Sequence, residues 1–326
     1  MLTRRHFNLI GTTLAAGAWA GAARAAEPNL PVAKIISGFP PGGTLDVIAR
    51  RVADKLRGAY AGAVLVDNRP GAAGQIGVMA LKDSPADGSS LLITPSSMLS
   101  IYPYTYPRLR YTLDDVSAVS LAAHMDHGLA VGPGVPDSVT TLKDFLAWVA
   151  THPEGANFGS PGAGSMPHLV GILLNQLTHT DLRHIAYRGT VPGVQDLLGG
   201  QISAFWGPIG DYLQYQKVGK LRVLAVAAPA RSVFLPQVPT LRELGYPLNV
   251  REWYGFFLPG KASADVQRRA AEAIGQALAL PDVVEAGRAY GLEIKGSTPA
   301  VLQQMLQADA QQWRQLIRQS GFTAES

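Results

Sequence analysis

The stretch Ile35-Ile36-Ser37-Gly38-Phe39-Pro40-Pro41-Gly42-Gly43-Thr44-Leu45-Asp46 decides the fold. An apolar, β-branched run stops, a Pro-Pro-Gly-Gly turn follows, and a helical segment begins at Thr44. The glycines let backbone N–H groups approach a ligand closely. The start of the helix adds unpaired N–H groups and the positive end of a dipole. Such an end suits a carboxylate or a phosphate without any Lys or Arg, and the Thr44 hydroxyl can add a contact. The same residues also read as a plain strand-to-helix turn with a capped helix. Asp46 reads as structural: with Arg50 it makes an i,i+4 pair that steadies the loop, whereas a carboxylate aimed at an acidic ligand would repel it.

The plan recurs downstream. Asn157-Phe158-Gly159-Ser160-Pro161-Gly162-Ala163-Gly164-Ser165-Met166-Pro167-His168 is a short strand, a Gly-rich turn and a helix start. Pro167 suits the first helical position and Ser165 an N-cap just before it. Two such helix ends facing each other across a cleft would make a clamp for an anion. A third stretch, Arg69-Pro70-Gly71-Ala72-Ala73-Gly74-Gln75-Ile76-Gly77, has the spacing G-x-x-G-x-x-G rather than G-x-G-x-x-G and follows the second strand, which argues against a dinucleotide loop. Tyr187-Arg188-Gly189 puts a phenol and a guanidinium at a strand end, where α/β sheets present ligand groups. Arg188 could pair a carboxylate, bridge two lobes, or stand in solvent.

Strand candidates alternate with amphipathic helices along the chain, which predicts an α/β protein with mostly parallel sheets. The strands are expected at 32–37, 63–67, 91–94, 116–122, 129–131, 182–187, 202–205, 221–227 and 254–258. The helices are expected at 44–57, 75–82, 141–151, 167–177, 191–198, 264–280 and 299–319. In the last helix Leu302, Met305, Leu306, Ala310, Trp313, Leu316 and Ile317 recur at helical spacing, so Trp313 reads as core, and Gln and Asp residues fill the other face.

The amino terminus reads as an export signal. Arg4 and Arg5 precede an apolar run from Leu9 to Ala20, and Ala23-Arg24-Ala25 offers small residues at the positions a signal peptidase reads. The run is too short to span a bilayer, and cleavage is expected after Ala25. Thr3-Arg4-Arg5-His6-Phe7 resembles a twin-arginine signal, although paired arginines also occur in ordinary signals. The formal charge of +4 falls to +1 without Arg4, Arg5 and Arg24. No basic stripe remains, which argues against nucleic acid as a partner. With no cysteine in 326 residues, the fold in an oxidising compartment must rest on its core. The G-x-S-x-G elbow of hydrolases is absent, Ser165 and His168 have no carboxylate beside them in sequence, and His124 and His127 lack a third metal-ligand cluster.

Taken together, these strings resemble the solute receptors of tripartite tricarboxylate transporters, the Bug-type receptor family. The resemblance is carried by Phe39–Asp46 with Ala49-Arg50, by Val66–Gly74, Ser84–Gly88, Gly164-Ser165 with His168-Leu169, and Tyr187–Gly189. Leu197–Gly200, Gly219–Val226, Val238–Thr240 and Trp253–Gly255 complete it. It implies a type II periplasmic-binding-protein fold, two lobes with a hinge and a ligand cleft between them. Lobe 1 would be residues 27–128 plus 254–326 and lobe 2 residues 129–253. It also implies a periplasmic monomer that catalyses nothing and captures a small carboxylate for membrane transporter subunits. Presentation of the bound ligand to a signalling kinase and a periplasmic hydrolase are the alternative readings, and the residues give no ground for a metal or cofactor. The expected ligand-binding residues are Phe39, Pro40, Gly42, Gly43, Thr44, Ser160, Gly164, Ser165, His168, Tyr187, Arg188, Phe205 and Trp206. One departure bears on the ligand. The family often carries acids near Ser203 and Gly207, and this chain has none there. An ammonium-bearing ligand would want a carboxylate, so an amine-free dicarboxylate or an aromatic acid resting on Phe205 or Trp206 is the expectation. Core packing remains the other reading of Phe205.

Overall fold

A computed structural model describes residues 30–323, so the expected signal and its cleavage site lie outside the described residues. In chain order, β1 (Leu30–Ser37), α1 (Thr44–Leu56), β2 (Ala61–Asn68), α2 (Gln75–Lys82) and β3 (Ser90–Pro95) form two parallel strand–helix–strand units. The short helices α3 (Ser97–Ser100) and α4 (Tyr102–Thr105) lead to β4 (Val116–Met125). The chain then enters a second sheet as β5 (His127–Val131), followed by α5 (Leu142–Thr151), β6 (Asn157–Ser160), α6 (Met166–Thr178) and β7 (Arg183–Ala186). Next come α7 (Thr190–Leu198), β8 (Ala204–Pro208), α8 (Leu213–Lys217) and β9 (Arg222–Ala227). A long connection returns to the first sheet as β10 (Glu252–Pro259), with α9 (Ala264–Leu278), α10 (Pro281–Ala289), β11 (Leu292–Ile294) and α11 (Pro299–Ser320) behind it.

The first sheet has the order β11-β4-β10-β3-β1-β2 and the second β7-β6-β8-β5-β9. Fewer ladders are parallel than the alternation of elements predicts. The strands that carry the chain between sheets cause the difference. β10 runs antiparallel to β3 and β4, and β5 runs antiparallel to β8 and β9. The sheets change at Asp126 and just before Glu252, so the expected lobe boundaries at 128/129 and 253/254 fall inside β5 and β10. Arg251 Nε donates to Asp126 Oδ1 at 2.8 Å, and this ion pair ties the two crossings together.

Helices cover both faces of each sheet, so successive strand residues enter different cores. On β1, Ile35 joins a cluster with Ile48, Val52 and Ile274 beneath α1 and α9, while Ile36 joins one with Val78, Leu81 and Met98. On β8, Phe205 packs with Val194 and Leu197 of α7, and Trp206 packs into the cluster holding Phe145 and Phe158. That larger cluster includes Trp313 and Ile317 of α11, which lies against α6, and Gln176 Nε2 donates to Ser320 O at 3.0 Å. Trp313 is core, and full burial of a large apolar side chain stabilises by about 1.5–3 kcal/mol.

Candidate functional site

The first loop is held by a carboxylate. Gly42 adopts φ 96°, a backbone conformation open to glycine, and its N–H donates to Asp46 Oδ2 at 3.1 Å. Arg50 Nε donates to the same oxygen at 2.8 Å, and Asn68 Nδ2 donates to Asp46 Oδ1 at 3.0 Å and to Phe39 O at 3.1 Å. Burial pushes the Asp46 carboxyl up, but the hydrogen bonds from Arg50, Asn68 and Gly42 together leave its pKa below the usual value. Asp46 therefore fastens the loop to α1 and β2. Gly43 caps α1 with no side-chain acceptor, so the Thr44 N–H looks outward. It donates to Asp211 Oδ1 at 3.2 Å, an acid from the turn after β8 in the other sheet's half. Thr44 Oγ1 and Tyr254 Oη share a hydrogen bond of 2.7 Å.

The second loop is held by histidines. Gly164 turns the chain at φ 70°, and its N–H donates to His168 Nδ1 at 2.9 Å. The His168 ring stacks on His184 at 3.5 Å, and His184 Nε2 lies 2.8 Å from Ser160 Oγ. Burial depresses both imidazoles, His168 to about 3 and His184 to about 4. His168 accepts through Nδ1 and is therefore neutral. Ser165 stands at the N-cap of α6 without capping it; its hydroxyl donates back to Gly162 O at 2.6 Å. The Met166 N–H donates to Ser97 Oγ across the cleft at 3.1 Å, and Pro167 has no N–H to offer. Tyr106 Oη also crosses, donating to Ala163 O at 2.6 Å.

Between the loops lies a cavity walled by both halves. Phe39, Pro40, Gly43, Thr44 and Asp46 line it from the first half with Ser97, Met98, Tyr102, Glu252 and Tyr254. His127, Pro161, Ser165, Pro167, Thr190 and Asp211 line it from the second. No Lys or Arg is among its lining residues. Five of the expected ligand residues thus meet here: Phe39, Pro40, Gly43, Thr44 and Ser165. Gly42, Ser160, Gly164 and His168 stand behind the wall as supports. Tyr187 and Arg188 line a different cleft with Gln75, Tyr106 and Arg108, and Tyr187 Oη donates to Asp196 Oδ2 at 2.9 Å. Phe205 and Trp206 are in neither place. Both are fully buried on opposite faces of β8, with the Phe205 ring cupped by Gly159, Gly193 and Gly207.

The polar floor was not foreseen. Glu252 is buried, and its Oε1 accepts from Ser97 N at 3.1 Å and from the Ser97 hydroxyl. Its Oε2 lies 3.0 Å from His127 Nε2, though not aligned as a hydrogen bond, and His127 Nδ1 has no partner. Burial drives both groups toward their neutral forms, His127 down to about 3 and Glu252 up to about 7. Asp211 as a residue keeps some exposed surface, but its Oδ2 is shut off from solvent and has no partner. Burial raises its pKa to about 7, against the opposing hydrogen bonds from Thr44 N and the Thr190 side chain. The Trp253-Tyr254-Gly255 string marked the neighbourhood of Glu252, while nothing in the sequence marked Asp211.

Two mixed sheets joined by two crossing strands, with a cavity at paired helix ends between them, define a periplasmic-binding-protein fold. Residues 48–322 match the family described as tripartite tricarboxylate transporter family receptor, and the chain belongs to that family. It is 33% identical over 297 residues to protein BugT of Bordetella pertussis, covering 90% of each chain. The solved structure of periplasmic binding protein BugD superposes with a TM-score of 0.83 at 26% identity, over 91% of this chain and 100% of that one. MatC of Rhodopseudomonas palustris with bound malate shares the fold, with a TM-score of 0.80 at 24% identity over 88% and 98% of the two chains. No helix among the described residues is long and apolar enough to cross a membrane.

Proposed function

We propose that this protein captures a small organic carboxylate in the cavity between its two halves, delivers it to membrane transporter subunits, and catalyses nothing. The observation that carries the reading is the cavity itself, walled from both sides and placed at the N-terminal ends of α1 and α6. Lobe 1 is residues 30–126 with 252–323 and lobe 2 is residues 127–251. They hinge where Asp126 and Arg251 pair, and hinge closure is a common response of two-domain receptors. Phe39, Pro40, Gly43, Thr44 and Ser165 are the contacts for the ligand. Gly42, Ser160, Gly164 and His168 act through them. The protein works as a periplasmic monomer after removal of residues 1–25, which amino-terminal sequencing of exported protein checks.

The amine-free preference rested on the missing acids at Ser203 and Gly207. Asp211 and Glu252 remove that ground, because they bring carboxyl groups to the cavity from other positions. The broad reading is tested by a thermal-shift screen of protein refolded free of endogenous ligand, against small mono-, di- and tricarboxylates and amino acids. A ligand bound only by the folded state raises Tm in proportion to ln(1 + [L]/Kd). Shifts confined to carboxylates are expected. No shift with any acid sinks the reading, and turnover of a bound acid sinks the claim that the protein catalyses nothing.

A further inference from the structure

The cavity is built for more than an anion. One end has what a carboxylate needs, the first turn of α1 with the Thr44 hydroxyl beside it. The wall beside that turn holds buried polar atoms without partners, and Asp211 itself touches Thr44 N. Asp211 Oδ2 is sealed from solvent without a partner, and His127, 1% exposed, has a partnerless Nδ1 on the same wall. Buried polar atoms are hydrogen-bonded in the great majority of cases, so two orphans lining one cavity mark where a ligand's polar atoms go. No Lys or Arg among the lining residues can neutralise Asp211. A second ligand carboxylate placed there would add a like charge in a poorly solvated space, whereas a cation would satisfy the orphaned oxygen.

We propose that the ligand carries an ammonium group as well as a carboxylate, and that Asp211 receives the ammonium. This deepens the carboxylate-receptor reading and rests on it. Asp211 also docks on α1 through Thr44 N, so one side chain positions the anion end and pairs with the cation end. Specificity then turns on a single residue, because a ligand without the nitrogen leaves the buried oxygen unpaired. The rival arrangement is a dicarboxylic acid whose second carboxylate accepts a hydrogen bond from a neutral Asp211. The two differ in proton traffic. Ammonium pairing favours ionised Asp211 and releases protons near pH 7, while the rival requires protonated Asp211 and takes protons up. The titratable groups around Asp211 are Tyr254 on β10, Tyr212 next in the turn, and Glu252, His127, Asp46 and Tyr102 on the cavity wall.

Isothermal titration of the refolded, ligand-free protein with matched pairs tests this: aspartate and succinate, glutamate and glutarate, alanine and propionate. Run in two buffers of different ionisation enthalpy, it also counts protons. The amino member of at least one pair should bind at least about 30-fold more tightly than its partner, since losing one side of a buried charge pair is that damaging. Its binding should release protons. Asp211→Asn should erase the preference and reduce the release. If Asp211→Asn fails to fold, the wild-type proton count decides alone. Tighter binding of the amine-free members, proton uptake, or a preference that survives Asp211→Asn overturns the proposal and leaves carboxylate capture standing. Failure of every acid to bind overturns both.

Discussion

At the scale of single residues, the packing of Phe205 shows why an aromatic that reads as a ligand platform is a wall stud instead. A Cβ added at Gly193 would lie 1.9 Å from the Phe205 ring, and Cβ atoms at Gly159 and Gly207 would come within 2.6 and 2.7 Å. The ring is fully buried among these close approaches, so it has little room to move aside. Gly193→Ala should therefore destabilise by about 1–3 kcal/mol, because overpacking outweighs the gain of up to about 1 kcal/mol from placing Ala in a helix. Phe205→Leu in the same chain should recover part of the loss. Urea unfolding of the single and double variants measures both, and a single variant as stable as wild type would mean that α7 shifts away from β8 freely.

At the scale of elements, much was legible because each strand and helix obeys a local rule. Gln75–Lys82 has the bounds its periodicity predicts, and α1, α6 and α11 end within a residue or two of expectation. The four-residue helices α3 and α4, the three-residue edge strand β11 and the short α8 escaped because segments so short carry no period to read, and α10 escaped as well. The loops were legible as anion-receptive helix ends, but not the partners that reach them from afar: Ser97 meets Met166, and Asp211 meets Thr44. Asp309 shows the same limit. Its spacing puts it on the polar face of α11, yet it accepts from Trp253 Nε1 at 2.6 Å, and burial raises its pKa to about 6. Only the packing of α11 against β10 makes that edge of the helix an interior one. The amino end of α11 is more local. Thr298 Oγ1 accepts from Val301 N at 3.3 Å as an N-cap, so Thr298→Ala should cost about 1 kcal/mol of stability, while Thr298→Ser should cost little. Thermal unfolding of the two variants checks the contrast.

At the scale of the molecule, Glu252 joins what the two crossings separate. It opens β10 in the first sheet, accepts from Ser97 on α3, and faces His127, where β5 enters the second sheet. Burial lifts its pKa from the usual 4.5 to about 7. The folded state therefore holds a proton that the unfolded chain releases above pH 4.5, and the stability contributed by this carboxyl is lost as pH rises from about 4.5 to about 7. The buried histidines act in the opposite sense: with folded pKa values near 3 and 4, their contribution is present above pH 6.5 and lost as pH falls toward those values. A comparison of Glu252→Gln with wild type isolates the carboxyl, because the histidines remain in both. Gln keeps an oxygen for Ser97 and does not titrate, so the stability of the variant relative to wild type should grow between pH 5 and pH 8. The growth should be on the order of 2–3 kcal/mol at most. Urea denaturation at the two pH values measures it. Equal gaps at both would show that Glu252 is ionised in the folded protein throughout, and that the crossings are then joined through a buried ion pair with His127 rather than through neutral groups.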